Sequence, residues 1–234
     1  MRGAIDVSPQ PIVYIVCSDQ HRNGKTLLAR VLVDYLMLDG RDPFVIDAGY
    51  PDGPLRNFFP GRTALVDFAD VRGQMKLFDT ILGSPGRDYV IKIPAAEAEH
   101  FCVAASELGF FGEARRIGFR LVILFIVDKA PDSLSFAVKV EEVTAPDLFI
   151  PVRNADVGSA LPERYDGLTV AMAALDPGLV TVIGNRRFSF RDFLLGEESA
   201  VPAALRPKLK SFLYGLMTAF RDIEPALSLS KLRG

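Results

Sequence analysis

Cysteine and histidine are scarce in this chain, with two of each among 234 residues. Cys17 and Cys102 lie far apart, and neither they nor His21 and His100 show metal-ligand spacing, which argues against a zinc centre and a disulfide framework alike. Buried thiols in a reducing cytosol are expected, and with them a cytoplasmic protein. No Ser-His-Asp arrangement is legible, and His100 falls in the helical stretch AAEAEHFCVAASEL, where surface exposure is expected. No residue is assigned a catalytic role.

An excess of charge of either sign is also missing. Twenty-seven Lys and Arg stand against 29 Asp and Glu, a formal net charge of −2, so no global basic field points to nucleic acid or to an anionic membrane. The N-terminal MRGAIDVSPQ has no apolar signal core, and the longest strongly apolar run, LVILFIV, is too short to span a bilayer. Neither export nor an integral membrane segment is expected. Repeats, low-complexity tracts and long linkers are absent, so one domain over 1–234 is the default, with about 176–234 as a C-terminal helical extension packed on it. Apolar residues are what the chain has in plenty, at 49%, enough for a large core.

Those apolar residues fall in runs. Strand-like segments are PIVYIVCS, FVIDAG at 44–49, DYVIKI at 88–93, RLVILFIV at 120–127, DLFIPV at 147–152 and LTVAMA at 168–173. Helical patterns lie between them at about 25–39, 70–82, 95–108 and 131–143. The alternation predicts an α/β fold, a doubly wound, mostly parallel sheet with flanking helices. Ligands in such sheets bind outside the carboxyl ends of the strands, where the turn after the first run, Asp47, Lys92 and Asn154 all fall.

The turn after the first strand, DQHRNGKT, opens directly into the helical spacing of Leu27, Leu28, Val31, Leu32, Tyr35 and Leu36, with Gly40 as the stop. A helix N-terminus offers unpaired N–H groups and a positive dipole end to an anion. Gly24, Lys25 and Thr26 match the end of the phosphate-loop pattern G-x-x-x-x-G-K-[ST], while Asp19 replaces its first glycine. This resembles a damaged P-loop of the nucleotide-hydrolysing kind. In that reading Lys25 contacts the β- and γ-phosphates and the Thr26 hydroxyl ligates magnesium; otherwise Lys25 is a solvated charge on an ordinary strand-turn-helix.

Over about residues 11–175 the order and spacing resemble the ParA/MinD group of P-loop ATPases, the partition and positioning proteins with relatives in plasmid mobilisation regions. That group carries a deviant loop, K-G-G-x-G-K-[ST]; here the segment is Gln20-His21-Arg22-Asn23-Gly24-Lys25-Thr26, and three of its seven positions depart. The group's second strand ends in D-x-D-P, where this chain has Asp47 and then Gly49. Its third strand resembles DYVIIDTPP; this chain reads DYVIKIPAA, with Lys92 in place of the magnesium-associated Asp. LFIPVRNADVG resembles the later strand ending in an asparagine near the base, which makes Asn154 the match and tilts the choice to ATP over GTP.

The resemblance implies ATP and Mg2+ as cofactors, with Arg22, Asn23, Gly24, Lys25, Thr26, Lys92 and Asn154 around the nucleotide and Thr26 and Asp47 at the metal. Each departure has a consequence. A side chain at positive φ costs about 1–2 kcal/mol, which His21 and Arg22 must avoid or bear. Gln20 cannot supply the signature lysine's charge; Arg22 either substitutes or points into solvent. Asp19 repels a polyphosphate unless a cation or hydrogen bond compensates. Lys92 either contacts phosphate or pairs with Asp47, giving a binding-competent but hydrolytically weak site, or it snorkels to solvent beside a vestigial one. Asp47 is read as a metal-water ligand or as a turn residue satisfied by backbone N–H groups, and Asn154 as base-proximal or as a turn cap.

The final third leaves the resemblance behind. Asp176 and Ser189 are expected to cap short helices, with Arg186 and Arg187 between them as an anion contact or a solvated pair. Leu209, Phe212, Leu213, Leu216, Met217 and Phe220 form one apolar face, expected to pack on the sheet rather than serve as a membrane foot. The leading expectation is an ATP-binding protein working by nucleotide-dependent association with itself, as a homodimer, or with a protein partner, with hydrolysis slow or absent. The alternatives are an interaction module with a vestigial site and a small-metabolite P-loop kinase or synthetase.

Overall fold

The computed structural model describes residues 10–158, 168–186, 188–198 and 200–230; the first nine residues and Arg187 lie outside the described residues. Seven strands form one sheet, and every pairing between them is parallel. They are β1 (Ile12–Cys17), β2 (Phe44–Asp47), β3 (Thr63–Leu65), β4 (Tyr89–Lys92), β5 (Arg120–Val127), β6 (Leu148–Asn154) and β7 (Val170–Met172), in the order β3-β2-β4-β1-β5-β6-β7. All residues of β1, β4 and β5 are buried, which is why these runs are apolar nearly throughout instead of alternating.

Alternation survives as a division between two cores. Ile12, Tyr14 and Val16 enter one core with α1 (Lys25–Leu38) and the C-terminal helices, while Val13, Ile15 and Cys17 enter the other. The second core is closed by α3 (Val71–Leu82), α4 (Ala98–Glu107), α5 (Phe110–Arg116) and α6 (Pro131–Thr144). Burial pushes the Cys17 thiol well above its ordinary value and the Cys102 thiol up to about 12; both are free and buried, as read from the sequence.

Three short elements escape the sequence reading: β3, α2 (Leu55–Phe58) and α5. The helix expected over 95–108 is a 3-10 turn followed by α4, and Gly109 at φ +68 then breaks the path before α5. Gly40, at φ +79, follows the end of α1 as expected.

The C-terminal segment builds α7 (Pro177–Gly184), α8 (Phe190–Leu195), α9 (Arg206–Arg221) and α10 (Ile223–Ser230). Asp176 caps α7 by accepting from Gly178 N–H, and Ser189 caps α8 by accepting from Asp192 N–H, as their residue types imply. Arg30 of α1 is held between the Phe58 and Phe190 rings, its guanidinium 3.5 and 4.7 Å from their centroids. It donates to the carbonyls of Ile183 (2.7 Å) and Phe188 (3.2 Å), so α1 is tied to the turn between α7 and α8. The apolar face of α9 is buried at all six positions. Among the described residues no helix is long and apolar enough to cross a membrane.

Leu213 is fully buried at the centre of that face. Leu213→Ala is expected to cost about 2–5 kcal/mol in urea unfolding, and Leu213→Asp to unfold the domain. A Leu213→Asp protein with an unchanged melting transition would remove α9 from the core.

Candidate functional site

The polypeptide leaves β1 at Cys17 and reaches α1 through a loop that crosses the carboxyl end of the sheet. Gly24 is the N-cap of α1, at φ +99, and no side chain caps the helix, so its first amides face the loop. A Cβ at Gly24 would lie 2.5 Å from Met172 Cε and 3.0 Å from Asn154 Nδ2, so the ends of β6 and β7 require a glycine there. Arg22 bears the strain that the sequence left open: it sits at φ +55 with its side chain exposed, and His21 is exposed beside it.

Side-chain hydrogen bonds hold this loop where its relatives in motif use glycines. Asn154 donates from Nδ2 to the Asn23 carbonyl (2.9 Å) and accepts from Asp156 N–H (3.0 Å), so it braces the loop and caps its own turn. The Asn23 amide donates to Ser18 Oγ, and its Oδ1 accepts from Lys25 Nζ at 3.1 Å. Lys25 also donates to the Gln20 carbonyl, so its ammonium is folded back across its own loop. Burial pulls that ammonium down to about 8, and the nearby charge of Lys92 pulls the same way. Thr26 follows, half-buried, in the first turn of α1.

Asp19 is turned aside by partners the sequence did not reveal. Its Oδ1 accepts from Ser133 Oγ of α6 at 2.7 Å and its Oδ2 from Gln20 Nε2 at 2.8 Å, which supplies the compensation that a carboxylate near an anion site needs.

The second half of the site is an ion pair. Asp47 and Lys92 are opposite each other in the register of β2 and β4, and Lys92 Nζ lies 2.8 Å from Asp47 Oδ1 with both side chains buried. Asp47 also accepts from Gly49 N–H through Oδ1 and from Leu55 N–H through Oδ2, each at 3.0 Å. Of the alternatives read from sequence, Lys92 thus takes the pairing one, and it does not snorkel. A Cβ at Gly49 would lie 3.0 Å from Asp47 Oδ1 and 3.3 Å from Lys92 Nζ, and one at Gly53 would lie 2.8 Å from Asp47 Cγ. A side chain at 49 would therefore crowd both partners of the pair.

This donor set does not fit magnesium, which demands oxygen ligands in near-octahedral array. Both Asp47 oxygens are engaged, and among the described residues no three His, Cys, Asp or Glu side chains cluster as a metal site. The elements of a phosphate cradle do fit: an uncapped helix start, a glycine that admits close approach, and two lysines. Ser18, Ser133, Met172 and Gly53 went unread in the sequence, and only Met172, at the end of an apolar run, had a positional signal. His100 is exposed as expected, its Nε2 3.1 Å from Gln74 Nε2 and its ring edge-on to Phe68.

Beyond Met172, the segment Ala173 to Pro177 with Leu179, Lys208 and Phe212 lines a cavity of about 640 Å3, a volume ordinary for small-ligand sites. Arg186 is exposed and lines two other cavities, near Asp34 and near Asp52.

No family model and no curated protein matches the sequence. Solved structures do. The chain is similar to the MinD cell division protein of Aquifex aeolicus, at 17% identity and TM-score 0.53 over 91% of this chain and 96% of that one. It is likewise similar to MinD in the MinC:MinD cell division protein complex of the same organism, at 16% identity and TM-score 0.52 over 91% and 95%. A putative plasmid partition protein of Borrelia burgdorferi bound to AMPPNP matches at 11% identity and TM-score 0.48 over 92% and 99%, a likeness that carries no argument. The fold is thus that of the MinD-like P-loop proteins, a single parallel sheet flanked by helices.

Gly24→Ala places a methyl group on Met172 and Asn154 at a left-handed backbone angle. We expect it to lower stability by about 1–3 kcal/mol in urea unfolding, without changing the slope of the transition. An unchanged midpoint would show that the loop adopts another path.

Proposed function

We propose that this protein binds ATP at the loop 18–26 and works by nucleotide-dependent association with itself or with a protein partner, as a partition, positioning or mobilisation protein does, with hydrolysis slow or absent. The observation that carries the reading is the joint geometry of Gly24 and Lys25. A left-handed glycine opens an uncapped helix start, and a buried lysine is held over the same loop. Asn23, Thr26 and the exposed Arg22 complete the phosphate side, and Asn154 braces it. The MinD likeness supports the fold that such association uses, and the packing of α7–α10 against α1 and the sheet supports reading the chain as one P-loop domain with a helical extension.

One observation favours the alternative of an interaction module that has lost its nucleotide. Lys25 already has protein acceptors in Gln20 and Asn23, so a phosphate must displace them. Melting measurements separate the two. ATP at a hundred times its Kd stabilises a protein by about 2.7 kcal/mol, so wild type should melt higher with ATP and Lys25→Ala should not. An equal shift in both, or none in either, overturns the assignment.

The pH dependence has a definite sign. Lys25 loses its charge as pH rises through about 8, and a bound phosphate favours the charged form, so ATP affinity should fall across that range and binding there should take up a proton. Calorimetry in buffers of different ionisation enthalpy reads this directly. Flat affinity across the range would show that Lys25 does not meet the phosphate.

Turnover should be slow even at saturation. Two carboxylates of the site are committed, Asp47 to Lys92 and backbone amides, Asp19 to Ser133 and Gln20, which leaves neither to orient an attacking water. Release of phosphate at the rate of a fast ATPase, abolished by Lys25→Ala, would contradict this.

A further inference from the structure

The Asp47–Lys92 pair sits where β2 and β4 end, and β4 runs beside β1, with Lys92 opposite Val16 one residue before β1 finishes. Neighbours in register share a face of the sheet, so Lys92 and Asp47 stand on the side of α1 and of the loop that precedes it. Two ammonium groups therefore face one loop.

Their surroundings differ. Lys25 has two acceptors from its own loop, while Lys92 has Asp47 as its ion-pair partner and an ammonium with three donors. Asp47 in turn is already neutralised: Lys92 and Gly49 N–H meet Oδ1 and Leu55 N–H meets Oδ2. A divalent ion at this carboxylate would compete with an ammonium that already neutralises it.

We infer that Lys92 is the second fixed cation of this site, in the place where a divalent ion would otherwise neutralise phosphate charge, and that the ligand is a nucleoside triphosphate free of metal. The inference rests on the nucleotide reading above. A polyphosphate entering over the loop meets Lys25 at one side and the spare donors of Lys92 at the other, while Asp47 and the two glycines hold the Lys92 ammonium in place. Magnesium adds little to such a site, because the carboxylate that would hold it or its waters is already neutralised by Lys92.

Titration calorimetry of the full chain with ATP, in EDTA and in excess magnesium, tests this. The two dissociation constants should agree within about threefold. Lys92→Gln keeps a donor for Asp47 while removing the charge, and should weaken ATP binding in EDTA about tenfold or more, with its circular dichroism unchanged. ATP binding tightened about tenfold or more by magnesium in wild type would overturn the inference and leave the nucleotide reading standing. So would a folded Lys92→Gln protein that binds ATP in EDTA as wild type does. Absence of ATP binding under both conditions would overturn both.

Discussion

The structure depends on a single constraint, that β1 is buried on both faces and on both edges. Its six residues are shielded above and below by two apolar cores, and β4 and β5 take its backbone groups on either side. A strand so enclosed can present polar groups only at its ends. The order of strands then decides which end matters: from β1 the chain crosses to β2, beyond β4, and later returns from β4 to β5 on the other side. Connections that part in opposite directions leave a crevice over the carboxyl end of β1. The loop bearing Lys25, the paired Lys92 and Asp47, and Asn154 are gathered there because the sheet has nowhere else to put them.

The first layer of this was legible in the sequence. Six of the seven strands announce themselves as apolar runs, because burial on both faces removes the polar alternation that blurs exposed strands. Asp176 and Ser189 were readable as caps because their side chains bond locally, to Gly178 and Asp192. What stayed hidden was either short or distant. β3 and α2 are three and four residues long, and too little sequence fits in them to make a period. α5, seven residues long beyond the break at Gly109, is likewise too short to show a period of its own.

Distance explains the unread parts of the site. Lys92 and Asp47 admitted several readings from sequence, because pairing depends on β2 and β4 being neighbours in one particular register. Asp19 was legible as a problem and not as a solution, since the hydroxyl that answers it comes from Ser133, 114 residues later. Asn154 was read as base-proximal by resemblance or as a turn cap; the structure shows the cap, through the Asp156 amide, and adds a bond to the Asn23 carbonyl, 131 residues away, that spacing does not encode.

A second buried ion pair shows that charge burial alone does not mark a ligand site. Arg41 and Asp88 meet at 2.5 Å near the amino ends of β1 and β4, both side chains largely buried. There every donor and acceptor has a structural task. Asp88 accepts from Ile12 N–H at the start of β1, and Arg41 reaches the Gln10 carbonyl and Glu224 of α10, so the pair fastens the last helix to the base of the sheet. Such a pair offsets its desolvation through the hydrogen bonds that both partners make. Lys92 and Asp47 bear the same desolvation at the other end of the sheet, where Asp47 is met by Lys92 and two backbone amides while the ammonium has three donors and Asp47 as its ion-pair partner. A buried ammonium with donors to spare, beside a second lysine and an open helix start, is costly unless an anion completes it. The same chemistry fastens a helix at one end of this sheet and at the other stands beside the loop that carries Lys25.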